Sequence, residues 1–305
     1  MDKVDYIWLD GEVVEWDAAQ VHVLTHALHY GYGVFEGIRA YACSDGRTAI
    51  FRLEDHMRRL ADSAKLIMME LPYTVEVLED ATRDLIRRNG LESCYIRPIV
   101  YTGTGGMGLH PGNCSVDAAI AVWPWGAYLG DDGITHGVRV RTSSYRRIDS
   151  SIMPAAAKTS ANYLNSILAK IEATKAGYDE AILLNLHGYV SEGSGENVFV
   201  VRDGVLTTPP LSSGCLAGIT RASIMRIAAD LGYEVREGDL HRSDLYLADE
   251  VFFTGTAAEV VPIREYDDRK VGSGGPGPVT KKLQETFFAT VHGDVEKYRE
   301  WLDYV

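Results

Sequence analysis

Two dipeptides, Asp10-Gly11 and Asp203-Gly204, each lie between strand-like runs, "YIWLDGEVVEW" early in the chain and "ENVFVVRDGVLTTPP" late in it. A two-residue turn of this kind needs positive φ at its centre and joins antiparallel strands. Hairpins are thus expected in both halves. Neither half shows the regular strand-helix alternation of a doubly wound sheet, so the expected class is α+β. Helical spacing fills the intervals. Leu53, Met57, Leu60, Ala64 and Ile67 recur with that period, and "VEVLEDATRDLIRRNG" repeats it before Gly90. Further on, Leu164, Ile167, Leu168 and Ile171 mark one face of a helix closed by Gly177. Ile224, Ile227, Ala228 and Leu231 mark another, with Thr220 as the expected N-cap and Gly232 as the stop.

A chain of 305 residues exceeds one typical domain. The segment "WPWGAYLGDDG" separates two differently patterned halves. The expected division is a smaller N-terminal α+β domain over 1–124, a linker over 125–135, and a larger C-terminal α+β domain over 136–305 that carries Lys158. A net charge of -13, with no Lys/Arg-dense stretch, argues against a nucleic-acid partner. The cysteines, Cys43, Cys94, Cys114 and Cys215, form no CxxC pair, which points to a reducing compartment. No apolar run approaches a membrane span and the opening residues lack a signal-peptide pattern, so a cytoplasmic location is expected.

Two motifs invite readings that their surroundings refuse. "GTGGMG", Gly103 to Gly108, matches GxGxxG after a strand, yet "LHPGNCSVD" follows without helical period, so a loop is expected rather than a dinucleotide site. His26 and His29 lack the glutamate of HExxH, and no metal site is expected.

The stretch "PAAAKTSANYLNS" sets a single lysine, Lys158, beside small residues that suit a planar ring. If Ser160 caps the following helix, the macrodipole and burial both disfavour the ammonium form of Lys158, leaving free amine as a nucleophile. A surface lysine in an irregular connection is the alternative. "YVSEGSGENVFVV" places Glu192 and Glu196 among small residues, where each carboxylate needs a partner, an arginine being the plain one. "GITR" opens a helix at a suitable phosphate seat, and "TGTAAE" allows close backbone approach to a ligand.

In order along the chain, "HYGYGVFEGIRAY", "FRLEDHMRRL", "YIRP", "AAAKTSANYLNS", "SEGSGENVF", "GCLAGITR", "LYLADEVFFTGTAAEVVPI" and "GPVTKKLQ" resemble the motifs of class IV aminotransferases, and specifically branched-chain amino acid aminotransferases. The resemblance runs from about Tyr6 to Leu302. It implies the two-domain fold-type IV architecture, pyridoxal 5'-phosphate as cofactor, and Lys158 as its covalent anchor and proton carrier. Glu192 then faces the pyridine nitrogen, while Arg59, Ile219, Thr220 and Thr256 match phosphate ligands; Arg59 would otherwise pair with Asp55 on its own helix. Tyr163 matches the partner of the cofactor's phenolic oxygen, and Leu216 the residue against the ring. For substrate, the resemblance implies an α-carboxylate site at Tyr95 with the amides of Thr256 and Ala257. It also implies an aromatic wall of Tyr30, Phe35, Tyr128 and Tyr163, with Arg97 receiving a distal carboxylate. Met107 and Leu109 match a lid reaching towards a neighbouring subunit, so a homodimer at least is implied, with a hexamer as the larger assembly. The expected reaction moves the amino group of L-leucine, L-isoleucine or L-valine reversibly to 2-oxoglutarate. A D-amino acid aminotransferase, an aminodeoxychorismate lyase and a non-catalytic scaffold are the rivals.

Overall fold

The computed structural model describes residues 2–126 and 128–305. Its chain forms two compact units. Unit 1 comprises Met1–Trp125, Ala157–Ala161 and Thr290–Val305; unit 2 comprises Gly126–Ala156 and Asn162–Ala289.

Unit 1 begins with β1 (Tyr6–Leu9) and β2 (Glu12–Glu15), joined at Asp10 and Gly11 with φ of 46° and 93°. The Asp-Gly turn thus takes the positive φ that the antiparallel pair requires. After α1 (His26–Tyr30) come β3 (Gly33–Phe35), β4 (Ile38–Ala42) and β5 (Thr48–Phe51). Helices α2 (Leu53–Leu66) and α3 (Val75–Arg88) follow, with Thr74 capping α3, then β6 (Cys94–Thr102) and β7 (Val116–Trp123). In α2 the spacing of Leu53, Met57, Leu60 and Ala64 turns all four into one core with Ile38, Ile50, Leu85 and Ile96.

Unit 2 carries α4 (Gly130–His136), β8 (Val138–Arg146), α5 (Tyr163–Lys175), β9 (Glu180–Leu184), β10 (Val190–Gly193), β11 (Asn197–Arg202) and β12 (Val205–Thr208). It continues through α6 (Ile219–Asp230), β13 (Glu234–Glu237), α7 (Arg242–Tyr246), β14 (Glu250–Gly255), β15 (Glu259–Tyr266), β16 (Arg269–Lys270) and α8 (Pro278–Val291). The chain then returns to unit 1 with β17 (Leu302–Tyr304), which pairs with β5.

The sheet of unit 1 runs β17-β5-β4-β6-β7-β1-β2, with β3 also on β6, and every pair is antiparallel. That of unit 2 runs β10-β9-β8-β15-β14-β11-β12-β13, with β8 parallel to β9 and β15. Mixed pairing with helices between some strands is the α+β arrangement. Val138, Ile182, Val198, Phe253 and Val261 lie in its core.

Three local features differ from the sequence reading. The stretch 125–135, expected as a linker, includes most of α4. Residues 157–161 belong to unit 1, because Val34 bridges Thr159, Phe35 N donates to Lys158 O (3.1 Å) and Ser160 N donates to Gly33 O (2.9 Å). These long-range backbone bonds also explain why Ser160 caps nothing: α5 starts at Tyr163 behind Asn162. Finally, α5 buries its small face, Ser166, Ala169 and Ala173, and leaves Leu164, Ile167 and Ile171 exposed.

Candidate active site

In unit 1 the segment holding Lys158 is strapped along β3. Its backbone N–H donates to Ser63 Oγ at 3.0 Å, and Ser63 is fully buried in α2. The amine lies 5.2 Å from the centroid of Phe35. The lysine is therefore fixed at its backbone while its half-buried side chain meets an aromatic face.

Arg59, two turns along α2, pairs with a carboxylate that sequence reasoning missed. Glu36 is fully buried and accepts from Arg59 Nε at 2.6 Å, Arg59 Nη2 at 2.9 Å and His56 Nδ1 at 2.7 Å. The alternative partner, Asp55, pairs with Arg52 instead. Burial alone would raise the Glu36 carboxyl, but Arg59 and His56 together hold it far below the usual carboxylate range. Burial pushes His56 down, so the neutral ring presents Nδ1–H to Glu36. Glu36 sits in "VFEGI" within the quoted motif "HYGYGVFEGIRAY", but nothing local to it names His56 and Arg59 as its partners.

Tyr95 and Arg97 alternate on β6 and so share one face. Arg97 Cζ lies 4.8 Å from the Phe35 centroid and 5.4 Å from that of Tyr95, and Arg97 Nη2 is 3.5 Å from the Tyr95 hydroxyl. Arg97 Nε is buried without a hydrogen-bond partner among the described residues. Trp125 packs edge-on against Tyr95 at 4.4 Å. Gly37 is required by space: a Cβ there would stand 2.0 Å from the Tyr95 hydroxyl. Tyr30 donates to Met107 O at 2.7 Å, and His26 Nε2 contacts Gly108 O at 3.0 Å, so α1 holds the glycine loop. That loop joins antiparallel strands β6 and β7, the geometry opposite to a βαβ dinucleotide site. Met107 and Leu109 on it are exposed.

Unit 2 assembles a second set. Glu192, on β10, is buried, and Arg147 Nε reaches its Oε1 at 2.7 Å. Leu216 N donates to its Oε2 at 3.0 Å, and Asn197 Nδ2 stands 3.5 Å from the same oxygen. The expected arginine partner therefore exists. A carboxylate offers about four lone-pair positions, and the protein groups named here engage three. Asn197 Nδ2 also donates to Leu216 O at 2.9 Å, tying the 214–218 loop to β11. The sequence reading gave no role to Arg147, which lies outside every quoted motif, nor to Asn197, which lies inside "SEGSGENVF".

The N-cap of α6 is Gly218, not Thr220: the helix begins at Ile219, Thr220 lies in its first turn, and no side chain caps it. The glycine is imposed by Asn197, whose Oδ1 would lie 1.9 Å from a Cβ at Gly218. Ile219 and Thr220 are buried in the first turn, where backbone N–H groups and the dipole favour an anion. Thr256 and Ala257 form the turn between β14 and β15, next to Thr254, whose buried hydroxyl has no hydrogen-bond partner among the described residues. Tyr163 opens α5, and Tyr128 lies under the Lys170 amine at 5.3 Å.

The model of the "Amino-transferase class IV" family matches residues 33–266. The chain belongs to the class IV aminotransferases. The aminotransferase is 51% identical over 300 residues to a Pseudomonas aeruginosa protein named "Branched-chain-amino-acid aminotransferase", covering 98% of this chain and 97% of that one. A crystal structure of the Escherichia coli branched-chain amino acid aminotransferase superposes with a TM-score of 0.96 at 50% identity, covering 99% of each chain. A branched-chain amino acid aminotransferase from T.th., solved with pyridoxamine 5'-phosphate, gives 0.96 at 49% identity, covering 100% of this chain and 99% of that one.

Proposed function

We propose that this chain is a branched-chain amino acid aminotransferase that passes the amino group of L-leucine, L-isoleucine or L-valine to 2-oxoglutarate, reversibly, with pyridoxal 5'-phosphate as cofactor. The observation that carries the reading is near-full-length likeness to enzymes of that name, together with an amine, Lys158, fixed at its backbone beside an aromatic face.

The donor chemistry fits the cofactor. Its phosphate suits the uncapped first turn of α6, at Ile219 and Thr220, with Thr256 and the guanidinium of Arg59. Its ring nitrogen suits the remaining acceptor position of Glu192, and Leu216 the ring face. When bound, the cofactor supplies an aldehyde that takes the amino group and a ring that draws electrons from the α-carbon. Lys158 would hold it covalently and, once released by substrate, its amine would carry the proton that leaves the substrate's α-carbon. Glu192 would keep the ring nitrogen protonated. Tyr163 would hydrogen-bond the phenolic oxygen. Tyr95, with the amides of Thr256 and Ala257, receives the α-carboxylate. Tyr30, Phe35, Tyr128 and Tyr163 exclude water around an aliphatic side chain, and Arg97 accepts the distal carboxylate of glutamate.

The working form is a homodimer at least, with a hexamer as the larger assembly. The exposed stripe Leu164, Ile167 and Ile171 on α5 supports self-association, because such a face is stabilised by a partner surface. The free cysteines support a cytoplasmic setting. Among the described residues, no helix is long and apolar enough to cross a membrane.

The test is direct. The purified protein should be yellow, borohydride should fix the chromophore to Lys158, and L-leucine with 2-oxoglutarate should give L-glutamate by ping-pong kinetics. A colourless protein, or one active on D-alanine and not L-leucine, overturns the reading.

A further inference from the structure

Arg147 follows β8 directly and is buried, with its backbone N–H donating to Leu184 O at 2.9 Å. Its Nε forms an ion pair with Glu192 Oε1 at 2.7 Å and donates its hydrogen bond to Gly214 O at 3.2 Å. One side chain therefore touches both the carboxylate and the loop whose Leu216 N–H holds the other carboxylate oxygen. Asn197 completes the frame from β11, bridging Leu216 O and Glu192 Oε2. Two further titratable groups lie close by. Cys215 is a thiol pushed up to about 12 by burial and by Glu192, and Glu196 is a further buried carboxyl group.

We propose that Arg147 is a positioning residue for the transamination: it fixes the orientation and charge of Glu192, and through Glu192 the protonation of the cofactor's ring nitrogen. This rests on the reading of Glu192 as the group facing that nitrogen. A buried carboxylate stripped of its cation turns to another donor or takes up a proton. Either change withdraws it from the ring. Without a cationic ring nitrogen nearby, the Lys158 nitrogen in the bound cofactor holds its proton to higher pH.

The experiment follows the visible absorption of the holoenzyme against pH in wild type, R147M, R147K, E192Q and the two double variants. E192Q should raise the midpoint. R147M should raise it by about one unit, roughly tenfold in proton affinity, and R147K by less. In the E192Q background, replacing Arg147 should move the midpoint no further, because the effect passes through Glu192. Equal shifts in both backgrounds overturn the proposal, since they show Arg147 acting through space or through general disruption. An unchanged midpoint in R147M and R147K while E192Q shifts also overturns it. An unchanged midpoint in E192Q alone defeats the underlying assignment of Glu192 instead. If R147M does not fold, R147K in the two backgrounds decides by the same comparison.

Discussion

Glu36 grips Arg59 through both carboxylate oxygens, Oε1 2.6 Å from Nε and Oε2 2.9 Å from Nη2, in a site where Glu36 has no solvent exposure. Breaking a buried ion pair from one side strands the other charge and costs about 3–5 kcal/mol. Glu36→Gln should therefore lower the melting temperature of the cofactor-free protein. If Arg59 also receives the phosphate, pyridoxal 5'-phosphate then replaces the lost counter-charge. The rise in melting temperature on adding it should be larger in the variant than in wild type. Thermal unfolding with and without the cofactor measures this; the same rise in both removes Arg59 from the phosphate site.

Gly37 and Tyr95 make a second, purely steric prediction. Gly37→Ala puts a methyl group 2.0 Å from the Tyr95 hydroxyl, so the phenol must move and its 3.5 Å contact with Arg97 goes with it. If Tyr95 binds the α-carboxylate, KM should rise for amino acids and oxo acids alike. Losing one hydrogen bond to a charged group is worth about 1.5–3 kcal/mol, or at least tenfold. The cofactor spectrum should stay as in wild type. A KM that does not move denies Tyr95 the carboxylate.

Local chemistry made the hairpins legible: Asp10 and Asp203 take the positive φ that their Asp-Gly turns announce. The α2 and α3 helices follow their apolar spacing for the same reason. Signals failed where distant strands decide. Lys158 lies in unit 1 because it runs beside β3, over 120 residues earlier, and no local pattern encodes that pairing. Gly218 stands where Thr220 was expected as N-cap, and the long-range contact with Asn197, which leaves no room for a side chain at 218, has no local signal. The α5 stripe reads as a core face, but small residues let the opposite side pack closer to the sheet. Glu36, though inside a quoted motif, and Arg147 were given no role because a buried charge declares itself only through its partner.

Glu196 predicts a stability that declines as pH rises from about 4.5 towards about 8. Glu180 pairs with Lys170 and Glu192 with Arg147, both at 2.7 Å, while Glu196 is 3% exposed and accepts from Gly195 N. Burial first, and the nearby Glu180 second, push its carboxyl up to about 8. The folded state thus binds the proton more tightly than the unfolded chain, whose carboxyl titrates near 4.5. That contribution is complete below the unfolded value and is lost as pH rises through the folded one. Urea unfolding between pH 5 and 9 should show a decline that Glu196→Gln flattens. An equally steep decline in the variant assigns it to another group.

Arg97 should separate the two halves of the reaction. Its guanidinium lies over Phe35 and beside Tyr95, and its Nε is buried with no hydrogen-bond partner among the described residues. An apolar substrate uses the aromatic faces there, whereas a distal carboxylate needs the charge. Arg97→Leu should therefore leave the leucine half-reaction within a few-fold of wild type. The 2-oxoglutarate half-reaction should lose roughly ten- to a hundredfold, as expected for a charge-assisted pair worth about 1.5–3 kcal/mol. Single-turnover absorbance changes, with each substrate added separately to the matching cofactor form, resolve the two. Equal losses with both substrates mean that Arg97 supports the fold of β6 or the cofactor and selects no acidic side chain.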